Sequence, residues 1–361
     1  MNKIRVGFIG LNPDSHWAAT AHIPALKSLP GDFEVVGVAN STPESGRRTA
    51  EALGLKHAFA TPLELVASGE IDLIVVTVKV PYHYELVTAA LNAGKHTHCE
   101  WPLGNGLEEA RKLAALAREK GVSATVGTQM RAAVEVKYLR RLIDDGYVGE
   151  VLSTTLVADA GGWGPETVAD LAYLNDKSTG ATMLTIPFGH TLAGVTDVLG
   201  EFADISGRMV LRRDQVLVAD TGKTLKATSE DQTMASGVLK SGAAFSAHYR
   251  GGMSRGTNFL WEINGTQGDI QVKAAFGHGQ MAQLSIFGAQ GGETEMSPLT
   301  PPAEMYAGLP ENVIPRNVAG IYALVAGDIR NGSRKAPSFD DALKLHELLD
   351  AIERSSQSIA K

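Results

Sequence analysis

From residue 4 to about residue 128, short apolar runs alternate with segments whose apolar residues recur every three or four positions. That is the pattern of buried parallel strands joined by amphipathic helices. Strands are expected at 5–9, 34–39, 73–77, 96–100 and 123–128, and helices at 22–29, 43–53, 61–67, 83–93 and 107–120. After a helical stretch near 135–145 the grammar changes. Residues 152–158, 203–211, 231–240, 243–249, 258–264 and 269–273 are β-prone, several alternate, and Gly-rich turns such as Lys240-Ser241-Gly242 join them. Residues 288–315, rich in Gly, Pro and polar side chains, read as a long surface loop. Amphipathic helices follow at 320–331 and 339–355, the second with Ser338 as its N-cap. The expected fold is an α/β Rossmann domain over 1–130 plus an α+β domain with an open, mainly antiparallel sheet over 131–361. Its last helices are expected to pack back on the first domain.

Composition narrows the function classes. At 361 residues, 44% hydrophobic and 20% charged, the chain is ordinary globular protein, long enough for two cores. A net charge of -7 opposes a nucleic-acid partner, and the basic cluster Lys137 to Arg141 fits a solvated helix face. Cys99 is the only cysteine, so no intrachain disulfide can form. No window approaches the roughly 18 apolar residues of a membrane span, and the first residues lack a signal-peptide core. A cytoplasmic protein without a membrane partner is expected, and a homodimer or homotetramer would cover the open sheet face.

Candidate chemistry starts at the first strand. Val6-Gly7-Phe8-Ile9-Gly10 runs into a glycine and then Leu11-Asn12-Pro13-Asp14-Ser15-His16-Trp17. In a dinucleotide fold this turn cups the diphosphate, with small residues that let the backbone approach. Only Gly10 fits that pattern, since Asn12 stands at the second glycine, so the turn by itself also reads as a plain strand-to-helix connection. The second strand ends at Asn40-Ser41, where an acid would select NAD. A neutral Asn40 with Arg47 or Arg48 nearby leaves NADP open. Thr77, Val78, His83, Glu100, Trp101 and Gln129 lie at strand ends or just beyond and complete the candidate cofactor set. No metal site is expected, because His96 and His98 alternate on one strand without a third nearby ligand.

Taken in order, the Gly10 turn, Ala21-His22-Ile23-Pro24-Ala25-Leu26, Asp72-Leu73-Ile74-Val75-Val76, His83, Cys99-Glu100-Trp101-Pro102-Leu103, Gly146-Tyr147-Val148-Gly149-Glu150 and Phe188-Gly189-His190 resemble the Gfo/Idh/MocA oxidoreductases over nearly the whole chain. Ala160-Gly161-Gly162-Trp163-Gly164, Phe188-Gly189-His190-Thr191 and Glu100-Trp101 are most similar to the subgroup containing a galactose-regulon repressor of yeasts. The resemblance implies NAD or NADP and a sugar-like substrate. It places an acid–base lysine where this chain has Trp101, and an Asp where it has Ile186.

His190 then remains as the acid–base or substrate-orienting group. Lys79, in a loop facing the nicotinamide in the resembled fold, is a substitute if desolvated, and otherwise a phosphate contact or a surface charge. Trp101 and Trp163 offer faces for a sugar ring, with Arg131 and Gln129 as polar contacts. Three functions follow as expectations: an NAD(P)-dependent oxidoreductase on a sugar, cyclitol or derivative; a non-enzymatic NAD(P)- and sugar-binding regulator; or glycoside cleavage or elimination through transient oxidation.

Overall fold

The computed structural model describes residues 2–14 and 17–359. The chain divides into two compact units, Met1–Gln129 with Gly308–His346, and Met130–Ala307 with Glu347–Lys361.

The first unit holds six parallel strands: β1 (Ile4–Ile9), β2 (Phe33–Ala39), β3 (His57–Ala58), β4 (Leu73–Val76), β5 (His96–Glu100) and β6 (Ala124–Gly127), in the order β3-β2-β1-β4-β5-β6. Their helices are α1 (Ile23–Lys27), α2 (Pro43–Leu53), α3 (Pro62–Ala67), α4 (His83–Asn92) and α5 (Leu107–Lys120). Strand order reverses between β1 and β4, which opens a crevice at the carboxyl ends of these two strands. Every residue of β4 is buried, as expected of a strand covered on both faces. Thr42 and Thr61 cap α2 and α3 by accepting from Ser45 N and Glu64 N, with Pro43 and Pro62 at the first helical positions.

The second unit carries α6 (Val134–Asp144), β7 (Val151–Ala160), β8 (Glu166–Thr167), α7 (Gly189–Leu199), β9 (Phe202–Val210), β10 (Gln215–Val218), β11 (Lys223–Lys226), β12 (Gln232–Leu239), β13 (Ala244–Gly251), β14 (Phe259–Gly265), β15 (Gly268–Ala274), β16 (Ser285–Gln290) and β17 (Ser297–Pro298). Eight strands form one sheet, β17-β16-β15-β14-β7-β13-β12-β9, antiparallel except where β13 runs parallel to β7. Along β12 the burial alternates: Thr233, Ala235 and Leu239 point inward, while Met234 and Val238 are each 38% exposed. The sheet has one covered face and one open face, as the alternation implied.

Three features differ from the sequence reading, the first being β3, a two-residue strand that was not expected. The stretch 288–315 is not one loop, because β16 starts at Ser285, β17 pairs back on it, and a helix, α8 (Val313–Asn331), begins near its end. β8, β10 and β11 make a separate three-stranded sheet of two to four residues per strand, too short to show a period. α8 is capped by Asn312, packs on α1 and buries Tyr322 completely, and α9 (Phe339–Ile359) follows.

Candidate nucleotide and ligand sites

The turn after β1 is tightly held. Gly10 has φ +92, and a Cβ there would come within 2.5 Å of Val78 Cγ1 and 3.3 Å of the Thr77 carbonyl. No other residue type takes both the torsion and the contact without strain. Thr77 Oγ1 donates to Gly10 O at 2.7 Å and Gly10 N donates to Ala39 O at 3.0 Å, so the ends of β1, β2 and β4 are tied together at the crevice. Leu11 is buried, and Asn12 Oδ1 accepts from Asp14 N at 3.1 Å. Ser15 and His16 lie outside the described residues.

Asn40 does something the sequence did not disclose. Its Oδ1 accepts from Leu11 N at 2.9 Å and its Nδ2 donates to Leu11 O at 2.8 Å, with Ser45 Oγ and Thr49 Oγ1 each 3.1 Å from Nδ2. An aspartate has no donor for Leu11 O, so the amide fits this clamp and the acid does not. Ser41 is exposed, and Arg47 pairs with Glu44 on the exposed face of α2.

Local geometry also explains how His22 reaches the sheet. Residues Ala18–His22 form a π-helical turn with Ile23 N donating to Ala18 O, immediately before Pro24. Proline has no N–H for the usual i→i−4 bond, and the wider turn takes up the mismatch. His22, fully buried, places Nε2 3.1 Å from Glu100 Oε1 and Nδ1 2.7 Å from the Tyr322 hydroxyl. His98 Nε2 lies 3.7 Å from the same carboxylate oxygen, and its Nδ1 lies 3.0 Å from Thr125 Oγ1. Gln129 Nε2 donates to both Glu100 oxygens, at 2.8 and 3.0 Å. Room for this pair depends on Gly127, where a Cβ would sit 2.3 Å from Glu100 Oε1. Burial works against ionisation of Glu100, but the imidazoles, His22 foremost, outweigh it and hold the carboxyl well below its ordinary range. Burial pushes the His98 imidazole down and the Tyr322 phenol far up.

The remaining expected cofactor residues are accounted for as follows. Trp17 packs edge-on against His22, with ring centroids 6.4 Å apart. His83, buried, sits 2.9 Å from Val78 O through Nε2 and 2.7 Å from Pro102 O through Nδ1, joining the loops that follow β4 and β5. Trp101 is 4% exposed and lies against His346, ring centroids 4.7 Å apart. Lys79 is exposed in the loop that follows β4.

In the second unit, Pro187 follows the same rule as Pro24. The turn Leu184–Phe188 is π-helical, with Phe188 N donating to Met183 O at 3.2 Å, and it delivers His190 to the first turn of α7, 4% exposed. Beside it Thr191 Oγ1 lies 2.6 Å from the Tyr249 hydroxyl, which donates to Gly277 O at 3.0 Å. Buried Asp159 accepts from Gly277 N at 3.0 Å, and burial pushes its carboxyl up. Arg131 pairs with Asp197, Nε and Nη2 each 3.1 Å from Oδ1. Trp163 is 2% exposed, its Nε1 donates to Leu174 O at 2.8 Å, and His278 stacks on it at 6.2 Å. Glycines flank Trp163 in the sequence, and the tertiary fold covers its indole with His278, which lies far away in the chain. Tyr249, Asp159, Thr125 and Tyr322 were not singled out in the sequence, because no local motif marks them.

Comparison with known proteins decides the lineage. Residues 4–128 match the model of the Gfo/Idh/MocA oxidoreductase family with its NAD-binding Rossmann fold, and residues 135–274 match the C-terminal domain of Gal80p. The first domain is thus of the Gfo/Idh/MocA NAD-binding type, and the second is similar to the C-terminal domain of Gal80p. It is 27% identical over 403 residues to the galactose/lactose metabolism regulatory protein GAL80 of Saccharomyces cerevisiae, covering 98% of this chain and 92% of that protein. It is 28% identical over 381 residues to the dehydrogenase aclE of Aspergillus oryzae, covering 99% and 97%. A super-repressor form of Gal80p from Saccharomyces cerevisiae superposes with a TM-score of 0.91 at 25% identity, over 99% of this chain and 96% of that one. A levoglucosan dehydrogenase in complex with NADH and L-sorbose shares the fold, with a TM-score of 0.84 at 21% identity over 99% and 98%. The chain therefore has relatives of both kinds, a dehydrogenase and a transcriptional regulator.

Proposed function

We propose that this chain binds NAD or NADP at the carboxyl edge of the parallel sheet, takes a sugar-like ligand, and exchanges hydride with it. The observation that carries the nucleotide is the turn at Gly10, a positive-φ glycine packed against Val78 at the reversal point between β1 and β4. Leu11, Asn12, Thr77 and Val78 line that turn in the proposal, and Glu100 and Gln129 face the nicotinamide ribose. A bound cofactor supplies the hydride, and the protein orients the reactants and moves one proton. His190 is proposed for that proton, with Arg131 for substrate orientation and Lys79 for an anionic contact. The sugar follows from relatives such as levoglucosan dehydrogenase, whose structure holds NADH and L-sorbose. We place a second copy of the chain on the open face of the eight-stranded sheet.

One observation favours a second reading, that of a regulator which binds both ligands without turnover. The resemblance places the acid–base lysine at Trp101, and the indole there is buried against His346. Purified protein with nucleotide and a panel of sugars and cyclitols separates the two. An absorbance change at the reduced-nicotinamide band that His190→Ala abolishes, with calorimetric nucleotide binding retained, supports the enzyme. Binding of both ligands without any such change supports the regulator.

A further inference from the structure

The cluster beneath the sheet edge has a geometry that nucleotide binding does not require. His22 Nε2 and His98 Nε2 converge on Glu100 Oε1 at 3.1 and 3.7 Å, and the three ligand atoms all lie within 4.8 Å of one another. The outer nitrogen of each ring is engaged by a hydroxyl, Tyr322 for His22 at 2.7 Å and Thr125 for His98 at 3.0 Å. Both hydroxyls can accept from Nδ1–H, the tautomer that leaves each Nε2 lone pair directed inward. His22 Nε2 is completely buried and, among the described residues, makes no hydrogen bond of acceptable geometry, although it lies 3.1 Å from Glu100 Oε1. A buried ring nitrogen that lies beside a carboxylate without a well-aligned hydrogen bond to it is a position at which a cation can bridge the two.

We infer that His22, His98 and Glu100 form a binding site for a divalent first-row transition metal, with Zn2+ as the ion the ligand set fits best. Two imidazoles and one carboxylate, with the fourth position open to water, is a familiar zinc set. Ligands about 2.0–2.2 Å from a tetrahedral zinc are about 3.3 Å apart, so the observed spacings need to change by only tenths of an ångström for the two pairs that share Glu100. Gln129, hydrogen-bonded to both carboxylate oxygens, and the Tyr322 and Thr125 hydroxyls then act as the outer partners that fix ligand orientation. Glu100, 12% exposed, is the member through which an ion reaches the site. The site lies wholly within the first unit and does not depend on hydride transfer.

The test is metal content, not activity. Full-length protein is stripped with a chelator, dialysed against buffered Zn2+ and analysed for bound metal, and in parallel the stripped protein is titrated with Co2+ and followed by visible absorption. The expected result is about one Zn2+ per chain and an intense tetrahedral Co2+ spectrum. His98→Leu loses the bound ion, and Tyr322→Phe weakens it about 10- to 100-fold. Circular dichroism and thermal unfolding check that each variant is folded. Equal zinc in wild type and a folded His98→Leu overturns the site, and so does a Co2+ spectrum that stays that of the hydrated ion. If His98→Leu does not fold, the wild-type Co2+ spectrum decides alone. A protein that binds zinc but no nucleotide would overturn the proposed function and leave this site standing.

Discussion

The two sheets solve burial in opposite ways, and that difference places the chemistry. The parallel sheet is covered on both faces, as the fully buried β4 shows, and only its carboxyl edge is left to meet a ligand. The eight-stranded sheet alternates along β12, so one face packs while Met234 and Val238, with Leu152 of β7 at 53% exposure, stay outside. An edge offers backbone groups and strand-end side chains to small molecules. An open face offers area to another protein surface. In the function proposed above, one chain thereby separates ligand chemistry from assembly.

Four experiments sharpen or break this contrast, in decreasing order of expected effect. Phe8→Ala in β1, at 0% exposure, is expected to cost about 3–5 kcal/mol by denaturant unfolding. Met234→Ala on the open face is expected to change stability by no more than about 0.5 kcal/mol in dilute protein, where that face is solvated. Met234→Arg should shift the molecular mass by light scattering towards the monomer. If Met234→Ala proves as costly as Phe8→Ala, the face is not open.

Next, lowering the pH should destabilise the first unit through His346, which is 3% exposed and whose imidazole burial pushes down to about 4 from 6.5. The unfolded chain takes up this proton below 6.5 and the folded chain does so only near 4. Stability from this group is therefore complete above 6.5 and is lost as pH falls through that window. The amount is on the order of 3 kcal/mol. His346→Gln should flatten the pH dependence of Tm over that range, and an unchanged slope would refute the account.

At the edge itself, Gly10→Val should weaken nucleotide binding by about 1–3 kcal/mol, because the torsion and the Val78 contact cannot both persist. Titration calorimetry reads the loss, and unaltered affinity would remove the turn from the site. Asn40→Asp keeps the acceptor for Leu11 N but deletes the donor to Leu11 O. A cost of about 1–3 kcal/mol in stability is expected, with a larger loss for NADP than for NAD because the new charge repels the 2′-phosphate. Equal losses for both nucleotides would show that Asn40 acts through the loop alone.

Most of the parallel unit was legible in sequence because β1, β2 and β4 are short, largely apolar runs that each lead into a helix. α2, α5 and β5 coincide with their sequence boundaries. Alternation similarly located the long strands of the mixed sheet. The start of β16 was hidden by Gly288 and the polar stretch after it, and the three-stranded sheet by strands shorter than any periodic window. Asn40 was legible as a neutral residue at a telling position, while its clamp on Leu11, from a loop elsewhere in the chain, was not.

Local sequence alone determined where strands, helices and the sharp turn at Gly10 fall, because those depend on side-chain period and on the torsions a residue can adopt. Only the tertiary structure decided which titratable groups meet. His22 sits beside a tyrosine 300 positions further on, and Trp163 is covered by His278. Such encounters follow from strand order and helix packing, and an interaction that acts over a few ångströms leaves no trace in the spacing of residues so far apart along the chain.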